Sequence, residues 1–97
     1  MAEVDEVVVG VVDVRVVRPE GSHRPDLYGY VAELAVAERA RRRGAGAALL
    51  RAAEDWARER GCRYTVLDYN AHNDDAARFY RERMGYRPAG VIMIREL

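Results

Sequence analysis

The chain has 97 residues, and its sixteen Asp and Glu side chains balance sixteen basic ones, all of them Arg. This length predicts one domain over residues 1–97, and the balanced charge argues against a nucleic-acid partner. There is no apolar run of membrane-spanning length and no charged-then-apolar leader, so we expect neither a membrane partner nor export. One cysteine, Cys62, cannot form an internal disulfide, which favours a reducing cytoplasm. The Arg-, Ala- and Val-rich composition is typical of a GC-rich bacterial gene.

The first third of the chain is predicted to form two antiparallel strands. Val12, Val14 and Val16 alternate with charged residues, which indicates a half-buried strand within residues 6–18. Residues 19–26 are rich in Pro, Gly, Ser and Asp, so the next strand should return as a hairpin. Strict alternation would then place one set of side chains on one face of that strand: Tyr28, Tyr30, Ala32, Leu34 and Val36.

A helix, a third strand and a second helix are predicted to follow. The helix over residues 44–60 has an apolar stripe of Ala45, Leu49, Ala53, Trp56 and Ala57, with Glu54 and Arg58 as an outer ion pair. Gly61 ends it, and residues 64–69 form a strand reached by a right-handed parallel crossover. Asn73 is the predicted N-cap of the second helix, which Gly85 ends. Residues 86–97 finish as extended chain.

The turn after Val36 has the composition of an anion site. Three arginines and two glycines separate an apolar strand from the first turn of a helix, where N–H groups lack intrahelical partners. Glycine lets the backbone approach a phosphate without a Cβ between them. The turn is not a P-loop, because no Gly-Lys-Ser/Thr follows at the required spacing.

The spacing of Arg41, Gly44 and Gly46 resembles the Arg/Gln-x-x-Gly-x-Gly/Ala signature of the GNAT N-acetyltransferase superfamily. Residues from about 6 to 85 follow the same order, with an apolar strand end at Leu34–Val36. The second family motif is matched by Asn73, Ala76, Phe79, Tyr80, Met84, Gly85 and Tyr86. The resemblance implies an α/β (α+β) fold: a GNAT-like mixed β-sheet with a central, splayed pair of parallel strands and two main helices.

The resemblance also implies that acetyl-CoA is the co-substrate. Strand backbone at Leu34, Ala35 and Val36 would receive the pantetheine arm, because a splayed strand pair leaves peptide groups without partners. The pyrophosphate would lie against the turn, on Arg41, Arg42, Arg43, Gly44, Ala45 and Gly46. Asn73 would contact the cofactor, cap its helix, or do both.

The catalytic residues carried over from the family are Tyr80, Asp68 and Glu33. Tyr80 matches the tyrosine that protonates the departing thiolate, although it could instead be a core aromatic residue. Asp68 lies five residues before Asn73. At this position some family members that acetylate protein N-termini carry a Glu that deprotonates the amine through water. Glu33 is the competing base, and either carboxylate could be a surface residue. The resemblance implies no metal.

The acceptor side is where the sequence departs from the family. A full GNAT domain begins with a strand and two helices that form much of the acceptor wall, whereas only Ala2–Asp5 precede the first long strand here. We therefore expect an N-terminally abbreviated acetyltransferase that transfers acetyl directly to a primary amine in a ternary complex. The alternative is a non-catalytic acyl-CoA-binding or interaction module. An exposed sheet edge predicts a homodimer, with residues 6–18 or 91–97 in its interface.

Overall fold

A computed structural model describes residues 2–4, 7–18, 26–38, 41 and 43–97. They form a mixed sheet and two main helices, as predicted. The strands are β1 (Ala2–Val4), β2 (Val7–Val17), β3 (Tyr28–Val36) and β4 (Tyr64–Val66); the helices are α1 (Ala45–Glu59) and α2 (Asp74–Ala77), which continues as a π-helical segment over Arg78–Arg83. The strand order is β1-β2-β3-β4, and only β3 and β4 are parallel. None of the helices seen in these ranges is long and apolar enough to cross a membrane.

Strands β2 and β3 confirm the predicted hairpin, although residues 19–25 of its turn lie outside the described residues. Pairing runs from Gly10 opposite Val36 to Val17 opposite Tyr28. The register shifts in the middle, because Asp13 lies opposite Glu33 whereas Val14 lies opposite Val31. Between these two pairs β3 contains one additional residue, Ala32, that β2 does not match. This irregularity is a β-bulge.

The bulge makes the predicted one-face stripe of β3 wrong, because it reverses the alternation of side chains at Ala32. Before it, Gly29 faces α1 so closely that a Cβ would lie 2.8 Å from Ala57 Cβ. Tyr28 and Tyr30 alternate with this glycine and thus point away from α1. After the bulge, Val36 returns to the side of α1, where it packs near Gly46.

Helix α1 forms the core of the molecule. Leu49, Ala53 and Ala57 are buried as predicted, and so are Ala47 and Leu50, which the predicted stripe missed. The stripe is wider than predicted because the helix packs on both β2 and β3. Gly61 has φ +86° just past the helix, which confirms it as the C-terminal stop.

The predicted Glu54–Arg58 pair is wrong. Arg58 instead bonds Asp55 at 2.6 Å, and Glu54 accepts a hydrogen bond from the Tyr86 hydroxyl at 2.8 Å. The Tyr86 hydroxyl also lies 2.7 Å from Thr65 Oγ1 on β4. This network joins α1, β4 and the chain that follows the π-helical segment.

Strand β4 is shorter than the predicted 64–69, since its pairing with β3 ends where Val66 meets Tyr30. Residues 86–97 have no regular secondary structure. The sheet surface opposite α1, which we name the far face, carries Tyr28, Tyr30 and Glu33 of β3 together with Asp13 and Arg15 of β2. Residues that lie directly opposite each other on paired strands share a face of the sheet. Arg15 lies opposite Tyr30 and Glu33 lies opposite Asp13, so both pairs are on the far face.

Candidate active site

Strands β3 and β4 separate after a short contact, which leaves a gap between them. They pair only over Tyr28–Tyr30 and Tyr64–Val66. Beyond Tyr30, no strand within the described ranges lies along that side of β3. Leu34 and Val36 are half-buried and Ala35 is exposed. Since peptide N–H and C=O groups need partners, this stretch of β3 can bind an extended ligand that carries amide groups of its own.

The turn between β3 and α1 brings positive charge to a helix N-terminus. Arg41 is fixed by two bonds: its Nε donates to Val36 O at 3.3 Å and its N–H donates to Glu38 O at 3.2 Å. Arg41 and Arg43 are exposed, while Arg42 lies outside the described residues. The first turn of α1 has no acidic residue and no side-chain cap from any described residue. Its N–H groups and the macrodipole can therefore attract an anion.

Two glycines shape the entrance to this turn in different ways. Gly44 is the N-cap of α1 in the left-handed region, with φ +84°, and a Cβ there would meet no described atom within 4 Å. The approach to the helix end is thus open at Gly44. At Gly46 a Cβ would lie 3.5 Å from the Phe79 ring and 3.7 Å from Val36 Cγ2. Phe79 therefore packs the π-helical segment against the first turn of α1.

Tyr80 lies at the centre of an aromatic cluster. Its ring stacks on Tyr69 at 5.5 Å, and it meets Phe79 and Tyr86 edge-on at 5.2 and 6.1 Å. The side chain is half-buried, and this burial raises the pKa of the Tyr80 phenol. The phenol is consequently neutral at physiological pH and can donate a proton. Single turns of π-helix of the kind that carries Tyr80 are frequent at functional sites.

The two candidate bases lie on or beside the far face. Asp68, two residues past the end of β4, is exposed and accepts a hydrogen bond from the Tyr30 hydroxyl at 3.0 Å. This bond, with the charge of Asp68, raises the pKa of Tyr30. Glu33 is also exposed and lies opposite Asp13. Asp13 is neutralised by Arg15, whose Nη2 lies 3.0 Å from its carboxylate.

The structure brings these groups together only in part. Phe79 links Tyr80 to the turn at Gly46, and Tyr30 links Asp68 to β3 across the gap. No hydrogen bond among the described side chains joins Tyr80 to Asp68 or Glu33. Asn73 is confirmed as a cap, because its Oδ1 accepts from Ala76 N–H at 3.0 Å at the start of α2.

Sequence reasoning missed two interactions of this site. The first is the Tyr30–Asp68 bond, which follows from the register that places Tyr30 beside Val66, two residues before Asp68. The second is the Glu54–Tyr86–Thr65 network, for which the sequence carries no signal. Among the residues whose placement is known, no cluster of His, Cys, Asp and Glu could hold a metal ion.

Comparison with known proteins connects this geometry to a family. The sequence profile of the Acetyltransferase (GNAT) family matches residues 1–86. "Uncharacterized N-acetyltransferase YhdJ" of Bacillus subtilis (strain 168) is 37% identical over 57 residues, or 59% of this chain and 40% of that protein. The "Putative acetyl transferase from Pyrococcus furiosus" has a TM-score of 0.85 at 33% identity, and the match covers 95% of this chain and 59% of that one.

A further solved structure shares the fold alone. The aminoglycoside N-acetyltransferase AAC(6')-Iy, in complex with CoA, has a TM-score of 0.84 at 21% identity, and the match covers 99% of this chain and 72% of that one. The chain thus spans 40% of the Bacillus relative's length and 59% of the Pyrococcus protein's. The match to the family profile includes β1 to β4, both helices and the turn between β3 and α1. On these grounds the chain belongs to the Acetyltransferase (GNAT) family.

Proposed function

We propose that this chain is an acetyl-CoA-dependent N-acetyltransferase, a single GNAT-like domain that moves an acetyl group to a primary amine by direct transfer. The observation that carries the proposal is the contact of Phe79 with the first turn of α1 at Gly46. The Tyr80 ring, 5.2 Å from the Phe79 ring and 5.5 Å from the Tyr69 ring, would then lie near the gap between β3 and β4 that would hold the cofactor. A relative that shares the fold was solved with CoA bound, which supports the same co-substrate here.

The residues present fit acetyl-CoA. The open side of β3 at Leu34, Ala35 and Val36 would hydrogen-bond the pantetheine amides. The first-turn N–H groups of α1 would bind the pyrophosphate, with Arg41 and Arg43 adding charge, and the open space at Gly44 admits a phosphate to the helix end. Arg42 and the Asn73 amide would complete this set.

The proposed reaction balances without a covalent enzyme intermediate. The neutral amine nitrogen attacks the thioester carbonyl carbon and forms a tetrahedral adduct in a ternary complex. The carbon–sulfur bond then breaks, and the thiolate takes the Tyr80 phenol proton while the new amide forms. The proton lost by the amine goes to a carboxylate, directly or through water, and Tyr80 regains its own from solvent. A phenol with a raised pKa stays protonated until the sulfur becomes charged.

Asp68 and Glu33 are the two proposed bases, and the Tyr30 bond distinguishes them. Asp68→Asn should lower the pKa of Tyr30 toward its ordinary value of about 10, because the carboxylate charge that opposes phenolate formation is gone. Asp68→Asn should also move the acidic limb of the pH profile of kcat/KM to higher pH, since the amine must then lose its proton to solvent. Tyrosine ¹³C NMR titration and pH–rate profiles measure the two effects.

Glu33→Gln is the matched control for this pair of measurements, because Glu33 is equally exposed and has no described contact with Tyr30. If Asp68 is the base, Glu33→Gln should leave both the Tyr30 titration and the rate profile unchanged. A rate profile that moves with Glu33→Gln and not with Asp68→Asn would assign the base to Glu33 instead.

We further propose that the protein acts as a homodimer in a bacterial cytoplasm, on a small-molecule or peptide amine.

The test of the function is an acceptor screen that includes peptide N-termini, small polyamines and aminoglycosides, since relatives of the same fold are aminoglycoside acetyltransferases. We expect acetyl-CoA to raise the melting temperature and at least one amine to be acetylated, as measured by thiol release. Firm acetyl-CoA binding with no acetylated amine would favour the non-catalytic binding module. No binding of any acyl-CoA would overturn both.

A further inference from the structure

The direction of the Tyr80 phenol is set by the rings packed around it. Tyr69 stacks on the Tyr80 ring with centroids 5.5 Å apart, while Phe79 and Tyr86 meet it edge-on at 5.2 and 6.1 Å. A general acid acts only when its proton lies close to the atom that receives it, so this direction matters for the proposed reaction. Whatever fixes the neighbouring rings therefore also fixes the acid.

Tyr86 is the neighbouring ring that is tied to other elements of the fold. Its N–H donates to Tyr80 O at 2.8 Å, just past the π-helical segment. At the other end of the side chain, its hydroxyl lies 2.8 Å from Glu54 Oε2 on α1 and 2.7 Å from Thr65 Oγ1 on β4. The ring of Tyr86 thus connects the segment that carries Tyr80 to both α1 and β4.

The hydrogen bonds at the Tyr86 hydroxyl have one consistent direction. A carboxylate has no proton to donate, so the phenol donates to Glu54. Since the phenol has a single proton, the Thr65 hydroxyl donates to Tyr86 in turn. A hydrogen bond to a charged group is stronger than one between neutral groups, and successive hydrogen bonds strengthen each other. Glu54 is consequently the group that holds Tyr86 most firmly.

Tyr86 keeps this bond while Tyr80 gives up its proton. Burial is the largest cause that raises the pKa of the Tyr86 phenol; the Thr65 bond lowers this pKa, whereas the bond to Glu54 and the Glu54 charge raise it further. A negative charge on Tyr80 also raises the pKa of Tyr86. Tyr86 therefore remains protonated, and bonded to Glu54, when Tyr80 becomes charged.

The neighbouring carboxylate on α1 has a different partner. Asp55 is exposed and bonds Arg58 at 2.6 Å, on the surface of the helix. Glu54 is half-buried and is directed to Tyr86, although Arg58 lies four residues along the helix from it. The two adjacent acidic residues thus differ in what they hold, which makes Asp55 a suitable control for Glu54.

We propose that Glu54 and Tyr86 are positioning residues for acetyl transfer: Glu54 holds the Tyr86 hydroxyl, and Tyr86 holds the Tyr80 phenol in the direction from which it protonates the thiolate. Neither residue takes part in the proton transfers themselves. The inference rests on the acid role of Tyr80 in the proposed function. Because α1 also begins at the turn proposed for the pyrophosphate, one helix then fixes the acid and the cofactor relative to each other.

Steady-state kinetics on an accepted amine test the role of Glu54. Glu54→Leu removes the acceptor and should lower kcat about tenfold, while the affinity for acetyl-CoA changes less than about twofold, because only the acid is misplaced. Tyr86→Phe should behave in the same way. Glu54→Gln should keep most of kcat, since its amide oxygen still accepts from Tyr86. Asp55→Leu is the matched control and should leave kcat unchanged.

The Tyr80→Phe background shows whether Glu54 acts through Tyr80. Once the phenol proton is gone, its direction no longer matters, so adding Glu54→Leu should cause no further loss of kcat. A similar loss of about tenfold in both backgrounds would overturn the proposal, because the effects of independent sites add. Loss of kcat in Glu54→Gln as large as in Glu54→Leu would also overturn it, since the charge and not the hydrogen bond would then be the cause.

Tyrosine ¹³C NMR titration tests the positioning without any acceptor. In the wild type and in Glu54→Gln, burial keeps the pKa of Tyr80 above the ordinary value of about 10. In Glu54→Leu and Tyr86→Phe the ring loses its support, and the pKa of Tyr80 should fall toward about 10 as water reaches the hydroxyl. Circular dichroism confirms that each variant is folded during the titration.

The NMR result separates this inference from the proposed function. An unchanged pKa of Tyr80 in both Glu54→Leu and Tyr86→Phe would overturn the positioning role even if the protein is an enzyme. A lowered pKa in both variants, with no amine acetylated by the wild type, would support the hold of Glu54 and Tyr86 on Tyr80 and would count against the proposed reaction alone.

Discussion

Tyr80→Phe is expected to lower kcat by about ten- to a thousandfold while the affinity for acetyl-CoA changes little, as for the loss of one transition-state hydrogen bond. The ring of Phe fills the same half-buried space between Tyr69, Phe79 and Tyr86, so the aromatic cluster should persist. Only the proton that would pass to the departing thiolate is removed. Steady-state kinetics on an accepted amine, with acetyl-CoA binding measured by calorimetry, separate the two effects.

Tyr69→Phe is the matched control, because Tyr69 stacks on Tyr80 and loses the same atom without a proposed role in proton transfer. It should keep nearly wild-type kcat. In the wild type, burial raises the pKa of Tyr80, so the alkaline loss of activity should set in above the ordinary tyrosine pKa of about 10. An unchanged rate in Tyr80→Phe would show that another group, or solvent, protonates the thiolate.

The features that the sequence predicted correctly are those fixed by neighbouring residues. Helix α1 could be bounded because glycines with positive φ lie just before and after it, at Gly44 and Gly61. Asn73 could be assigned as a cap because its side chain reaches only three residues along the chain, to Ala76. The parallel β3–β4 pair followed from a strand, a helix and a strand in succession, since such crossovers have one favoured hand.

What the sequence could not predict depends on register between distant segments. At the bulge, β3 contains one residue more than the stretch of β2 with which it pairs. The alternation of residues within β3 alone does not indicate this extra residue. The bulge places Glu33 with Tyr30 on the far face and Val36 on the side of α1. The partner of Glu54 was mistaken for the same reason, since Tyr86 lies 32 residues away and a local pair with Arg58 was the nearer choice.

The assignment of the cofactor turn leads to the second large expected effect. Gly44→Val should weaken acetyl-CoA binding by on the order of a hundredfold or more, as expected when about 3 kcal/mol of charge-assisted hydrogen bonding to the pyrophosphate is lost. Two causes act together. A branched side chain would occupy the open space at the helix end, and the left-handed φ of +84° that exposes the first-turn N–H groups is strained for any β-branched residue.

Gly61→Val separates these causes from a simple loss of stability. Gly61 has nearly the same backbone conformation, φ +86°, and an equally open surrounding, but it lies at the opposite end of α1. Both substitutions should therefore lower the free energy of unfolding by a similar amount, about 1–2 kcal/mol in urea titrations. Only Gly44→Val should lose acetyl-CoA in calorimetry and in the thermal shift. If the Gly44 variant bound the cofactor as tightly as the Gly61 variant, the pyrophosphate would lie elsewhere, and the turn from Arg41 to Gly46 would be an ordinary basic helix start.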